Sequence, residues 1–296
     1  MTSLFTRLAL KLLAGSSIPP HWLYPPVLPR QARRSKTGRL SIEIVSHCWQ
    51  YAHLLSFQLD SLLRYPIHSA DVTMTVFFSQ DDEATCQLLA RTEQQSIDNV
   101  TWNWQVLPSN ELFRRSIGRN RAALSTKADW VWFTDCDMTF QAGCLDSLNA
   151  ALQGRLEALV YPALEGRTGM HTDSGQVNVN TQTTDQFQYV DPDLFKYHPV
   201  SRATGPLQIT HGDVARANGY CRDVAFYQKP ADRFQKATED RMFRWLLNTQ
   251  GTAIDVKGAC RIQHAEKGRY KDGSAVSRWR KRIRRWQYTW RQRSRP

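Results

Sequence analysis

Two carboxylates spaced two residues apart, Asp135 and Asp137, follow the apolar run Trp130-Val131-Trp132-Phe133. In extended backbone, residues two apart project to the same side. The spacing therefore predicts that the two carboxylates converge while Cys136 points away. Two such charges are costly to hold together unless a cation neutralises them. Carboxylate oxygens suit Mn²⁺ or Mg²⁺. The same triplet at a strand end can also serve as a plain cap for the next helix. A second acidic pair, Glu239-Asp240, precedes Met242, Phe243, Leu246 and Leu247 at helical spacing. Acids also gather in a helix's first turn because of its dipole.

The elements that must position these residues alternate along the chain. Residues 40–45, 72–78, 100–107, 130–133, 156–161, 207–210 and 253–256 read as strands. Helical spacing marks residues 51–63, 82–97, 114–127, 143–152 and 233–247. Strand then helix, repeated, argues an α/β fold with a largely parallel sheet flanked by helices. Ligands in such folds gather at the carboxyl ends of the strands. Residues 165–197 are polar and lack periodicity, and read as a long functional loop.

With these pieces in place, residues 40–265 resemble the GT-A glycosyltransferases, and in particular their family-2-like group. The resemblance rests on Ser46-His47 after the first strand, Asp81-Asp82 after the second, and Gly118-Arg119-Asn120-Arg121-Ala122 on a helix. Asp135-Cys136-Asp137, Thr238-Glu239-Asp240 and His264 complete it. It implies a Rossmann-like GT-A fold with one catalytic domain and terminal helical extensions. It also implies a nucleotide-sugar donor, UDP-linked, and a saccharide or lipid-linked acceptor. Asp135, Asp137 and His264 would bind the metal, with Asp137 the main carboxylate ligand. Ser46, Asp81, Asp82, Arg119 and Asp135 would meet the donor, Asp135 near its ribose or sugar. Asp240 would be the base of an inverting transfer, and Glu239 would orient the acceptor. Two signatures differ from the family: Phe77-Phe78-Ser79-Gln80-Asp81-Asp82 after the second strand, and His211-Gly212-Asp213 with Asn218-Gly219-Tyr220 before the acidic pair. The competing expectation is an inactive, transferase-like scaffold tethered at a membrane.

Composition divides the 296 residues into an arm (1–36), a globular domain (37–270) and a tail (271–296). The hydrophobic fraction, 41%, is that of an ordinary globular protein. The six cysteines include no C-x-x-C pair, which speaks against a zinc site and for a reducing compartment. Residues 4–13 are interrupted by Arg7 and Lys11, too short for a span and unlike a signal peptide. A cytoplasmic place, peripheral on the membrane's cytoplasmic face, is expected.

The net charge of +12 is concentrated at one end: residues 267–296 hold twelve Lys or Arg and one acid. Trp279, Ile283, Trp286 and Trp290 form one helical stripe among these arginines. That pattern suits an anionic membrane surface. Packing of the stripe back onto the domain is the alternative. Nucleic acid fits less well, since no nucleic-acid module accompanies the tail.

Overall fold

The computed structural model describes residues 2–169, 189–233 and 238–264, with Trp279, Arg282, Ile283 and Trp286 of the tail. The described elements run α1 (Thr2–Leu13), β1 (Leu40–His47), α2 (Ala52–Arg64), β2 (Ala70–Phe78), α3 (Glu83–Glu93), β3 (Val100–Val106), α4 (Ser109–Leu112), α5 (Arg115–Ser125) and β4 (Trp130–Phe133). They continue β5 (Met138–Phe140), α6 (Cys144–Leu152), β6 (Leu159–Pro162), β7 (Leu164–Arg167), β8 (Lys196–Pro199), β9 (Gln208–His211), α7 (Gly212–Asn218), α8 (Glu239–Leu246), β10 (Thr252–Ile254) and β11 (Ala259–Arg261).

A seven-stranded sheet in the order β10-β6-β9-β4-β1-β2-β3 forms the centre. All its pairings are parallel except those of β9, which runs antiparallel between β4 and β6. The expected α/β architecture with a largely parallel, helix-flanked sheet is therefore the one found. The residue types explain it: β4 is Trp-Val-Trp-Phe and wholly buried, as a central parallel strand must be. On α2, Leu54, Leu55, Leu59 and Leu62 are buried at helical spacing.

Chain order reverses between β1 and β4, the switch point where such sheets bind ligands at their carboxyl ends. The reversed direction of β9 adds to this end, because its first residue, Gln208, pairs with Phe133, the last of β4.

A second, four-stranded sheet, β5-β11-β7-β8, was not foreseen. Its strands are three or four residues long, too short for a period-2 pattern to register. β7 and β8 pair at the two ends of the polar segment read as a loop, and residues 170–188 of that segment lie outside the described residues. The expected helix 233–247 begins at Glu239, with Thr238 as its N-cap and residues 234–237 undescribed.

The arm lies on the domain through polar contacts, with its prolines able to accept hydrogen bonds but not to donate them from the backbone. The Leu28 amide donates to Asn218 Oδ1, and Asn218 Nδ2 donates to the Pro26 carbonyl, both at 3.0 Å. Arg34 grips Asp213 with its backbone amide and guanidinium, each at 2.8 Å. Partial burial would raise the Asp213 carboxyl, but the hydrogen bonds from Arg34 and Arg216 outweigh it and hold the group well below the usual carboxylate range. A depressed carboxyl contributes stability above its unfolded value, about 4, and loses it as pH falls through the folded value. Protection of residues 28–36 against hydrogen exchange, relative to the free-peptide rate at the same pH, should accordingly fall below about pH 4 in the wild type. Asp213→Asn should show the weaker protection already at neutral pH. Identical exchange in the two proteins at pH 7 would contradict this anchoring.

Candidate active site

At the switch point, β1 ends in Ser46 and His47, and β4 runs into Thr134 and Asp135. The His47 ring stacks on Phe77 at 5.0 Å and faces Gly118 of α5. A Cβ at Gly118 would lie 2.3 Å from His47 Nε2, so glycine alone lets α5 approach this closely. Burial, then Arg119 and Arg115, push the His47 imidazole well below its ordinary value, so it is neutral at physiological pH. Neither of its nitrogens nor Ser46 Oγ has a hydrogen-bond partner within the protein.

Arg115 and Arg119 stand one turn apart on α5. Arg119 is fully buried. Its Nη1 donates to the Tyr220 hydroxyl at 2.9 Å, and its Nη2 to the Thr134 carbonyl at 2.9 Å, Asp135 Oδ1 at 3.1 Å and the Gly205 carbonyl at 3.3 Å. Arg115 donates through Nη1 to the same Asp135 oxygen and through Nη2 to Glu239 Oε1 at 3.3 Å. Asp135 above all, and then Glu239, raise the Arg115 pKa against the effect of burial and keep it charged. One guanidinium thus joins the acid after β4 to the acid that opens α8.

A second link runs through Tyr220, held between Phe133 and Phe243 at 4.8 and 4.2 Å. Its hydroxyl donates to Gln208 Oε1 at 2.8 Å, and Gln208 Nε2 donates to the Asp240 carbonyl at 3.0 Å. Glu239 is buried, with Oε2 unpartnered. Asp240 is about a third exposed and lies 3.6 Å from Arg244 Nη1.

Residues 134–137 leave the strand in a tight turn, closed by the Met138 amide on the Asp135 carbonyl at 3.1 Å. The extended geometry assumed from the sequence therefore does not hold, and the two acids are dealt to different partners. Asp135 goes to the arginines, while Asp137 Oδ2 meets His264 Nε2 at 3.5 Å. The second sheet makes that meeting. β11 pairs antiparallel with β5, and the Ile262 amide continues the pairing to the Asp137 carbonyl at 2.8 Å. The chain then delivers His264 two residues later, with the Tyr51 ring edge-on at 5.4 Å.

The three ligands expected for the metal are thus not gathered as one group. Among the described residues no cluster of three His, Cys, Asp or Glu side chains is placed to hold an ion. Asp137 and His264 still suit one, because Asp137 Oδ1 is buried without a partner beside the imidazole. A divalent ion that keeps waters and takes substrate phosphates needs few protein ligands.

Asp82 and Asp81 have local partners. The buried Asp82 carboxylate caps α3 through Thr85, accepting its hydroxyl at 2.7 Å, and also accepts the Gln50 amide at 2.5 Å. Gln50 has φ +58°, a left-handed backbone that this bond helps to hold. Asp81 is exposed and accepts from the Ser79 hydroxyl at 3.1 Å. Arg119, expected at the donor, spends both Nη atoms on the protein.

Arg115 was not singled out in the sequence, although its place four residues before Arg119 put it on the same helix face. Gln208 carried no local signal and Tyr220 was quoted only within an altered signature, since the direction of β9 and the turn after α7 bring them here.

No protein-family model and no curated protein sequence matches the chain. Among solved structures it is similar to residues 1–349 of S. aureus TarS, at 12% identity and TM-score 0.48, over 76% of this chain and 61% of that one. The same TarS segment in complex with UDP-GlcNAc gives 11% identity and TM-score 0.48, over 80% and 62%. The mannosyltransferase PcManGT from Pyrobaculum calidifontis, in complex with GDP-Man and Mn²⁺, gives 13% identity and TM-score 0.46, over 99% and 72%. The chain spans about three-fifths of the TarS segment. At these values the likeness is one of chain architecture, and no residue role is carried over from it.

Arg119→Leu should destabilise the protein by about 3–5 kcal/mol, because the Thr134 and Gly205 carbonyls and the Tyr220 hydroxyl lose a donor and Asp135 loses Arg119 while keeping Arg115. Gly118→Ala should cost about 1–3 kcal/mol through overpacking against His47. Urea unfolding measures both, and a midpoint unchanged in Arg119→Leu would contradict the structural role given to its contacts.

Proposed function

We propose that the chain transfers a sugar from a UDP-linked nucleotide-sugar donor to a hydroxyl of a saccharide or lipid-linked acceptor, with inversion. The observation that carries this reading is Arg115. It places an acid from the switch point, Asp135, and an acid from α8, Glu239, on one guanidinium. A donor-side carboxylate and an acceptor-side carboxylate are thereby held in fixed relation, as an in-line displacement requires. The sequence resemblance to GT-A transferases supports the same division of roles.

Asp135, oriented by Arg115 and Arg119, receives the hydroxyls of the donor's ribose or sugar. Asp137 and His264 would hold the divalent ion, Mn²⁺ or Mg²⁺, which supplies positive charge to the departing diphosphate. Asp240 is the more exposed member of its pair and accepts the acceptor's proton. The acceptor oxygen forms its bond to the anomeric carbon as the bond to the diphosphate oxygen breaks, and the proton passes to Asp240. Glu239 keeps Arg115 in place and shapes the acceptor side. The Trp and Arg stripe of the tail supports a peripheral place on the cytoplasmic face of an anionic membrane.

Incubation with a panel of nucleotide sugars, with Mn²⁺, Mg²⁺ or chelator, is expected to release nucleotide from one donor in a metal-dependent way. Asp137→Ala should lower that release by about 10²–10³-fold, and Asp240→Asn should abolish transfer while leaving donor binding intact. A retained anomeric configuration, read by NMR of the product, would defeat the role given to Asp240. Absence of donor binding under every condition would favour the scaffold reading.

A further inference from the structure

α1 has two apolar sides. Leu10 and Leu13 pack against the core, and Ala14 just beyond them is buried. On the opposite side Phe5, Leu8 and Leu12 recur three and four residues apart and are 74%, 54% and 66% exposed. Just past the helix, Ile18, Trp22 and Leu23 are exposed as well, Trp22 at 71%. Single exposed apolar residues are ordinary, but six on one short stretch mark a contact surface.

Charge selects the occupant. Residues 1–36 contain six Lys or Arg and no Asp or Glu; Arg34 and Lys36 are paired with Asp213 and Asp129 of the domain, and Lys11 is exposed beside the apolar stripe. A symmetric contact of this face with a second copy would bring Lys11 of one copy towards Lys11 of the other. Anionic headgroups present the opposite charge, and an indole such as Trp22 suits the boundary between headgroup and acyl chain. No helix among the described residues is long and apolar enough to cross a membrane, so α1 would lie in the interface.

The surface is braced to the active site. Arg241 Nε donates to the Ala14 carbonyl at 3.3 Å, and Trp245 Nε1 to the Ile18 carbonyl at 3.0 Å. The Tyr24 ring meets Trp245 edge-on at 5.9 Å. Arg241 and Trp245 belong to α8, the helix that opens with Glu239 and Asp240.

We propose that the outer face of α1, with Trp22 and Leu23, docks the chain on an anionic lipid surface, independently of the tail. Docking through this face leaves α8 one helix layer behind the lipid surface, within reach of a lipid-linked acceptor. The second statement rests on the transferase reading, and the docking does not.

The test is flotation of the full chain with vesicles of phosphatidylcholine alone and of phosphatidylcholine mixed with phosphatidylglycerol. The wild type should float with the mixed vesicles. L8S/L12S/W22S should lose about tenfold or more of that partitioning, with an unchanged urea midpoint and unchanged nucleotide release in lipid-free buffer. Equal flotation of the two proteins would overturn the proposal and leave lipid contact to the tail. So would failure of the wild type to float, or a wild-type dimer that the triple variant breaks. Lipid docking that the variant loses, in a protein that releases nucleotide from no donor, would uphold the docking and sink the transferase reading.

Discussion

A guanidinium buried to zero exposure must be compensated, and Arg119, partnered through both Nη atoms though not through Nε, sets that condition for the whole centre. Its partners come from three separate places: Thr134 and Asp135 in the turn after β4, Gly205 in the segment before β9, and Tyr220 in the turn after α7. Each of those segments must arrive for the charge to be tolerated. The cost of leaving it unpaired therefore ties the sheet's carboxyl end together. Arg115, one turn earlier, extends the same field to Glu239 and so to α8. The indole of Trp132, donating to the Pro206 carbonyl at 2.9 Å, fixes the segment that presents Gly205.

The second sheet acts on the other acid. Asp137 lies immediately before β5 and His264 soon after β11, and the antiparallel register between those strands sets one beside the other. The arm acts on α8 from outside, through Arg241 and Trp245. The acids of the site are thus governed by three structural units: the central sheet for Asp135, the small sheet for Asp137, and the arm with α5 for the start of α8.

Much of this was legible in the sequence where a pattern was long enough to repeat. The buried run of β4 and the leucines of α2 gave the fold class, and the glycine-arginine pair on α5 marked the right helix. Short elements were not legible, because β5, β7, β8 and β11 are too brief for periodicity. Geometry after the strand also escaped. A turn at 134–137 cannot be told from continued extension by residue types alone, so the convergence of Asp135 and Asp137 was expected and their division was not. Asp82 looked like a ligand group and is occupied by a helix cap and the Gln50 amide. Gln208 and Tyr220 depend on long-range pairing, which no local window contains.

The most direct test of the central claim, that Asp137 and the Arg115-held Asp135 form a nucleotide-sugar site, is calorimetric titration with uridine and guanosine diphosphates. Wild type, Asp137→Ala and Arg115→Ala would each be measured with Mn²⁺ and with chelator. The expected result is binding that requires Mn²⁺ in the wild type, loses that requirement together with most of its affinity in Asp137→Ala, and weakens in Arg115→Ala. Binding equal in all three proteins and indifferent to the metal, or no binding in any of them, would contradict the claim.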